Sequence, residues 1–258
     1  MATKKIKFIV PFPLKGKGLK LREAQLPKRF IRPGFKVDFV PVKNSIAWMD
    51  SYYDSTVIDF LLFEEGISAE KEGYDAICID TASDSGLHGL RSRLKIPVVA
   101  PSVASMHLAC MLGHKFTVLT MWERWVFLYS KHLEEYKLWD RCASVRNIGQ
   151  EPNLVSLLEG KKETLKKLEA EALKAINEDG ADVIMLGSTT MHQAHDYLSK
   201  KLPVPVLNPG LVAYKIAELL VELNLSQSKV AYPAPQTPRD DMVHAMAETA
   251  RKFSWPPK

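Results

Sequence analysis

The sequence predicts an α/β protein made of two pseudosymmetric, doubly wound parallel-sheet lobes with a cleft between them. Three observations carry this. Apolar runs of strand length alternate with helical patterns along the chain. Two stretches read as copies of each other, Gly73-Tyr-Asp-Ala-Ile-Cys-Ile-Asp-Thr81 and Gly180-Ala-Asp-Val-Ile-Met-Leu-Gly-Ser188. A second matched pair follows them, Ile96-Pro97-Val98-Val99-Ala100-Pro101 and Val204-Pro205-Val206-Leu207-Asn208-Pro209. Each copy is a strand, a helical stretch and a second strand, which is a β-α-β unit. The expected lobes are residues 1–114 with 209–258, and residues 115–208. Thr81 and Ser188 end the duplicated strands and are expected to look at each other across the cleft. About eight strands also suit a β/α barrel; the twofold repeat favours two lobes.

The elements follow in order. Lys5 to Val10 is apolar enough for a buried strand, and Pro11-Phe-Pro13 ends it, because proline cannot donate to a ladder. A Gly- and Lys-rich stretch follows as a loop. Phe35 to Val40 is the second strand. Asp54 to Lys71 has helical spacing at Val57, Ile58, Leu61 and Leu62. Ala76 to Asp80 is a strand, and Asp84 is placed to cap a short helix to Leu94. Pro97 to Ala100 is a strand, then Ser102 opens a helix that Gly113 closes. In the second half, strands are expected at Phe116–Thr120, Ala143–Ile148, Val183–Leu186 and Val204–Leu207. Helices are expected at Glu123–Glu135, Lys161–Asp179, Thr190–Lys200 and Gly210–Leu223, with a last one reaching about Phe253.

The chain of 258 residues is long enough for a large core, and 46% hydrophobic with 25% charged residues is ordinary for a globular protein. The net charge of +5 is mild, and Lys15, Lys17 and Lys20 read as a solvated loop. No run approaches the roughly 18 apolar residues of a membrane span, and the start lacks a secretory signal. Cys78, Cys110 and Cys142 have no metal-type spacing, and the first two sit in apolar or helical runs. A reducing, cytoplasmic setting is expected. No nucleic-acid module, metal cluster or Gly-rich phosphate loop is visible, so no cofactor and no metal are expected. The expected partner is a small anionic substrate, with no nucleic acid and no membrane, and a homo-oligomer is expected.

Several words of the sequence, in order and spacing, resemble the aspartate/glutamate racemase superfamily, most closely its hydantoin racemase branch. They are Ser51-Tyr-Tyr-Asp54, Glu72-Gly-Tyr-Asp-Ala-Ile77, Asp84-Ser-Gly-Leu87, Ser105-Met-His107, Phe116-Thr-Val-Leu-Thr120, Arg141-Cys-Ala-Ser-Val-Arg146, Glu178-Asp-Gly-Ala-Asp-Val-Ile184, Leu186-Gly187 and Val204-Pro-Val-Leu207. The resemblance covers roughly residues 37 to 225 and implies two pseudosymmetric lobes with the active site between them. It also implies a pair of cysteines, one per lobe, that take a proton from one face of a carbon and return it to the other. Those cysteines belong at Thr81 and Ser188, and both are missing. A hydroxyl is far too weak an acid to act as a resting base without a partner. The branch's Asn-Pro-Asn word at the first strand end is replaced by Val10-Pro-Phe-Pro13, and Phe12 suggests a more apolar or aromatic ligand.

The expected function is therefore stabilisation of a carbanion or enolate beside a carboxylate, in a cofactor-free decarboxylase or lyase acting on a small, aryl-bearing acid. The alternatives are a racemase or isomerase with a non-cysteine base, and a catalytically silent ligand-binding protein. Thr81, Ala82 and Ser83, with Ser188, Thr189 and Thr190, are expected to turn from strand into helix and cradle an oxyanion on backbone N–H groups. Helix capping is the plainer explanation of the same residues. The expected catalytic residues are Thr81, Ser188 and His192, the last lying near the first turn of its helix. Pro11, Tyr53, Thr120 and Trp122 complete the expected substrate contacts, and Trp122 with Trp125 equally suits ordinary core.

Overall fold

In the computed structural model, residues 3–152, 162–253 and 255 are described. The chain forms two compact units, one of residues up to Ala100 with those from Ala213 onward, the other from Pro101 to Val212. Residues 101–114 and 209–212, expected with the first lobe, group with the second unit instead. The reason is packing: the helix from Pro101 to Leu112 lies against the second unit's central strands.

The first unit holds β1 (Lys4–Val10), α1 (Gly16–Glu23), β2 (Phe35–Pro41), α2 (Tyr52–Gly66), β3 (Ala76–Ile79), α3 (Leu87–Arg93) and β4 (Val98–Val99). Its sheet runs β2-β1-β3-β4, every pair parallel. Ile6, Phe8, Ile9 and Val10 are fully buried, as are Ala76 to Ile79. Such continuous apolar runs belong to strands covered on both faces. Lys7 interrupts the run, and its buried ammonium is answered by Glu65 at 3.0 Å and Glu72 at 2.8 Å.

The second unit holds α4 (Pro101–Leu112), β5 (Phe116–Thr120), α5 (Val126–Glu135), β6 (Cys142–Asn147), α6 (Lys162–Asn177), β7 (Val183–Leu186), α7 (His192–Leu198) and β8 (Val206–Leu207). Its sheet runs β6-β5-β7-β8, again all parallel. Numbered within each unit, both sheets have the order 2-1-3-4, so the sequence repeat is a repeat of topology. Helix α8 (Pro209–Glu222) begins in this unit's range, and α9 (Asp240–Ala250) belongs to the first unit. Lys161, the expected start of α6, lies outside the described residues.

Four local expectations are corrected. The Gly- and Lys-rich stretch contains a helix, α1, whose Arg22 is buried. The helix expected from Asp84 begins at Leu87, because Asp84 and Gly86 both take left-handed backbone (φ 52° and 76°). Gly86 donates its N–H to Asp59 instead, at 2.9 Å. The segment expected as helix from Glu123 opens as a 3₁₀ turn over Glu123–Trp125, and that expected from Thr190 opens as one over Thr189–Met191.

Candidate functional site

A 2-1-3-4 parallel sheet reverses its strand order between its first and third strands, and ligands bind such sheets outside the strands' carboxyl ends at that point. In the first unit this is where β1 runs into Pro11 and β3 runs into Thr81. In the second it is where β5 ends at Thr120 and β7 runs into Ser188.

Thr81 stands two residues beyond β3, and Ser188 two residues beyond β7. The residues between match as well: Asp80 donates its N–H to Ile9 O at 2.9 Å, and Gly187 donates to Leu119 O at 2.8 Å. The hydroxyls also match. Thr81 Oγ1 lies 2.9 Å from Ser83 Oγ, and Ser188 Oγ lies 2.7 Å from Thr190 Oγ1. Each unit thus ends its third strand in an i, i+2 hydroxyl pair.

Beyond these pairs the loops diverge. In the first unit the hydroxyls form a chain, since Ser83 Oγ reaches Ser85 Oγ at 2.8 Å. Ala82 is buried and Ser83 half-buried, and the loop stays non-helical through Gly86. In the second unit Ser188 accepts the Thr190 N–H at 3.2 Å and caps the turn that feeds α7. Thr189 and Thr190 are buried. The expected turn from strand into helix therefore forms after Ser188, whereas after Thr81 a non-helical, hydroxyl-rich loop takes its place.

His192 is the first residue of α7 and is buried, 8% exposed. Thr120 is fully buried, and its hydroxyl has no hydrogen-bond partner among the described residues. Trp122 is half-buried, edge-on to Trp125 at 6.1 Å and under the Arg124 guanidinium at 5.5 Å. Pro11 is buried, and its carbonyl accepts the Ser45 hydroxyl at 2.6 Å. Phe12 packs into an aromatic group, 5.8 Å from Trp48 and 5.9 Å from Trp255.

Tyr53 does not join this set. Its side chain is 77% exposed on the first turn of α2. The word Ser51-Tyr-Tyr-Asp54 has a structural job, because Ser51 Oγ accepts the Asp54 N–H at 3.2 Å and caps the helix.

None of the three thiols is at a strand end of this kind. Cys78 lies inside β3, fully buried, and burial beside Asp80 pushes its thiol well above the ordinary value. Burial also raises Cys110, and it pushes Cys142 up to about 11. Thiolate chemistry near neutral pH needs the opposite shift. Among the described residues no group of three or more His, Cys, Asp or Glu is placed to hold a metal ion, and no described helix is long and apolar enough to cross a membrane.

Sequence reasoning missed two residues that hold the strand ends. Arg22 of α1 donates from Nε to the buried Asp80 carboxylate at 2.5 Å and from Nη2 to the Asp80 carbonyl at 2.5 Å. Gln25 adds its amide to the same carboxylate at 3.0 Å. Tyr129 of α5, 1% exposed, donates its hydroxyl to the Gly187 carbonyl. Tyr129 had a faint signal, since it shares a buried helical face with Leu128, His132 and Leu133. Arg22 had none, because a lone arginine in a lysine-rich stretch reads as solvent-exposed.

Two parallel sheets of order 2-1-3-4 make this a doubly wound α/β protein of two similar units, and comparison with known proteins identifies its family. The model of the family Asp/Glu/Hydantoin racemase matches residues 21–217. The chain belongs to that family. It is 33% identical over 210 residues to a hydantoin racemase of Pseudomonas sp. (strain NS671), covering 81% of this chain and 84% of that protein. Among solved structures, allantoin racemase from Pseudomonas fluorescens has a TM-score of 0.82 at 26% identity, covering 91% of this chain and 98% of that one. Arylmalonate decarboxylase shares the fold at a TM-score of 0.59 and 19% identity, over 84% of this chain and 92% of that one.

Proposed function

We propose that this protein is a racemase-type isomerase of a five-membered ring ureide, a hydantoin- or allantoin-like substrate, working without a thiol pair. The observation that carries the reading is the matched placement of Thr81 and Ser188, each two residues past the third strand of its unit and each in a hydroxyl pair. The names of the relatives supply the substrate class. Thr81 and Ser188 would stand where the family's proton-relay cysteines belong, and they would serve as hydrogen-bond donors to substrate.

The chemistry follows from the donor set. Removing the proton from a carbon beside a ring carbonyl throws negative charge onto the carbonyl oxygen. Hydroxyl and backbone N–H donors aimed at that oxygen lower the barrier. Thr120, with its unengaged buried hydroxyl, is a further donor. The base must be something other than Cys78, Cys110 or Cys142, whose thiols are all raised. His192 takes that role in this reading, because its buried imidazole opens the helix that follows Ser188 and a ring nitrogen can accept a proton and return it.

Decarboxylation of an aryl-bearing acid, the reaction the sequence favours, has weaker support. The likeness to arylmalonate decarboxylase is one of fold, whereas the relatives of higher identity are racemases.

The test uses one enantiomer of 5-benzylhydantoin in heavy water, following deuterium uptake at the ring carbon and loss of optical purity above the uncatalysed rate. The expected result is exchange with racemisation, reduced roughly 100-fold or more in His192→Ala. Carbon dioxide release from phenylmalonate, with no exchange into the hydantoin, would overturn the reading in favour of decarboxylation.

A further inference from the structure

The two strand ends share a feature that the hydroxyl pairs do not explain. In each unit the carbonyl of the residue just before the hydroxyl residue is held by a buried side chain from a distant helix. Arg22 Nη2 of α1 donates to Asp80 O, and the Tyr129 hydroxyl of α5 donates to Gly187 O. The donors differ in chemistry, yet each comes from the helix between the first and second strands of its unit, and the carbonyl held is the equivalent one. A trans peptide carries its N–H opposite its C=O. Fixing the carbonyls of Asp80 and Gly187 therefore turns the N–H groups of Thr81 and Ser188 the other way. Neither N–H has a hydrogen-bond partner among the described residues.

Gly187 fits the same purpose. A Cβ there would lie 2.8 Å from the Tyr129 hydroxyl and 2.9 Å from Thr120 Cβ. No side chain can be added without displacing the group that holds the carbonyl. In the first unit the holding group is itself fixed, because Arg22 is also paired to the Asp80 carboxylate and Gln25 completes that cluster.

We infer that Arg22 and Tyr129 are positioning residues. Each clamps the peptide ahead of Thr81 or Ser188 so that the following N–H is presented as a fixed donor to a substrate oxygen. This rests on the assignment of Thr81 and Ser188 to the substrate site. A donor fixed before substrate arrives needs no reorientation as charge develops, which is where such donors gain their effect. Touching no substrate themselves, Arg22 and Tyr129 act on turnover more than on substrate affinity.

The experiment compares the full chain with Tyr129→Phe, which keeps the ring and removes only the hydroxyl, and with Gly187→Ala and Arg22→Lys. Amide resonances are followed by ¹⁵N–¹H spectroscopy during titration with sodium acetate and, separately, with 5-benzylhydantoin. In the parent, the Thr81 and Ser188 amide protons should move downfield with either probe. In Tyr129→Phe and Gly187→Ala, Ser188 should lose more than half of that movement while Thr81 keeps it. Arg22→Lys should show the reverse. Turnover of 5-benzylhydantoin by Tyr129→Phe should fall in kcat about tenfold or more with KM within about twofold. A crystal structure of Tyr129→Phe should show the 187–188 peptide rotated. An unchanged Ser188 response in Tyr129→Phe overturns the inference, as does absence of any Thr81 or Ser188 response in the parent. If the parent binds acetate in the expected way but does not act on the hydantoin, the substrate reading fails. The acetate response and the peptide orientation then still decide the clamp.

Discussion

Ser188 Oγ lies 2.7 Å from Thr190 Oγ1 and accepts the Thr190 N–H at 3.2 Å. One oxygen thus caps the turn and is bridged to a second hydroxyl, and Thr81 with Ser83 repeats the bridge at 2.9 Å without the capping bond. Capping and the proposed substrate contact are accordingly separable at Thr81 more cleanly than at Ser188.

That difference gives the first prediction. Thr81→Ala should leave the thermal midpoint within a few degrees of the parent while lowering kcat/KM for the true substrate about tenfold or more, since one hydrogen bond to a charged group is worth roughly 1.5–3 kcal/mol. Ser188→Ala should show the same kinetic loss together with about 1 kcal/mol of lost stability from the missing cap. Steady-state kinetics and urea melts of both variants check this. Parental kinetics in both would reduce the two residues to structural roles.

The thiols give the second. A thiol pushed up to about 11, as at Cys142, is roughly one part in ten thousand thiolate at pH 7. Iodoacetamide at neutral pH should therefore leave activity nearly intact over an hour, and Cys110→Ala and Cys142→Ala should turn over like the parent. Rapid inactivation that substrate prevents would show a thiol at work.

A third concerns the buried pair at the end of β3. Arg22 and Asp80 are 2% and 0% exposed. Removing one partner strands the other charge in the interior, which costs roughly 3–5 kcal/mol. Asp80→Ala should lose about that much in denaturant melts, and Arg22→Met a similar amount. The double variant Arg22→Met with Asp80→Leu should recover much of it. A cost under about 1 kcal/mol for each single variant would contradict the burial.

The fourth is a pH dependence. Arg93 donates to Asp240 from Nε at 2.9 Å and from Nη2 at 2.6 Å, and this holds the Asp240 carboxyl below its ordinary value. A carboxylate with a depressed folded pKa contributes its stability above its unfolded pKa, near 3.9, and loses it as pH falls through the folded value. The bridge ties the start of α9 to α3. Asp240→Asn should thus cost about 1 kcal/mol at pH 7, with the gap to the parent closing as both are acidified below pH 4. Urea melts across that range, or amide exchange in α9, measure it; a gap constant with pH would exclude the ion pair as its source.

The fold class was legible because period-two and period-3.6 patterns are local, and the repeat of Gly73–Thr81 by Gly180–Ser188 marked equivalent strands. The strand order was not, since the pairing of β1 between β2 and β3 joins residues some 30 and 70 positions apart that leave no local mark. The hydroxyl residues at 81 and 188 could be found for the same reason as the repeat. Their supports could not. Arg22 is buried against the Asp80 carboxylate, 58 positions away in sequence, a fact of tertiary structure. Asp84 misled because an aspartate before an apolar run reads as a cap, whereas here it takes left-handed backbone and the helix waits until Leu87. The word around Tyr53 also carries a structural role that the resemblance did not reveal, since its Ser51 caps α2.

The division of the chain has a consequence for the order of events during synthesis. The second unit is one unbroken stretch, Pro101 to Val212, and all four of its strands have left the ribosome before the first unit is whole. The first unit, although it begins at the N-terminus, depends on residues after Ala213, including α9, whose Asp240 meets Arg93 across 147 positions of sequence. The unbroken second unit is therefore expected to be complete first, against the usual N-terminal-first order of domain maturation. A released chain truncated after residue 212 should carry a protease-resistant second unit, while the sheet that ends in Thr81 still lacks part of its cover.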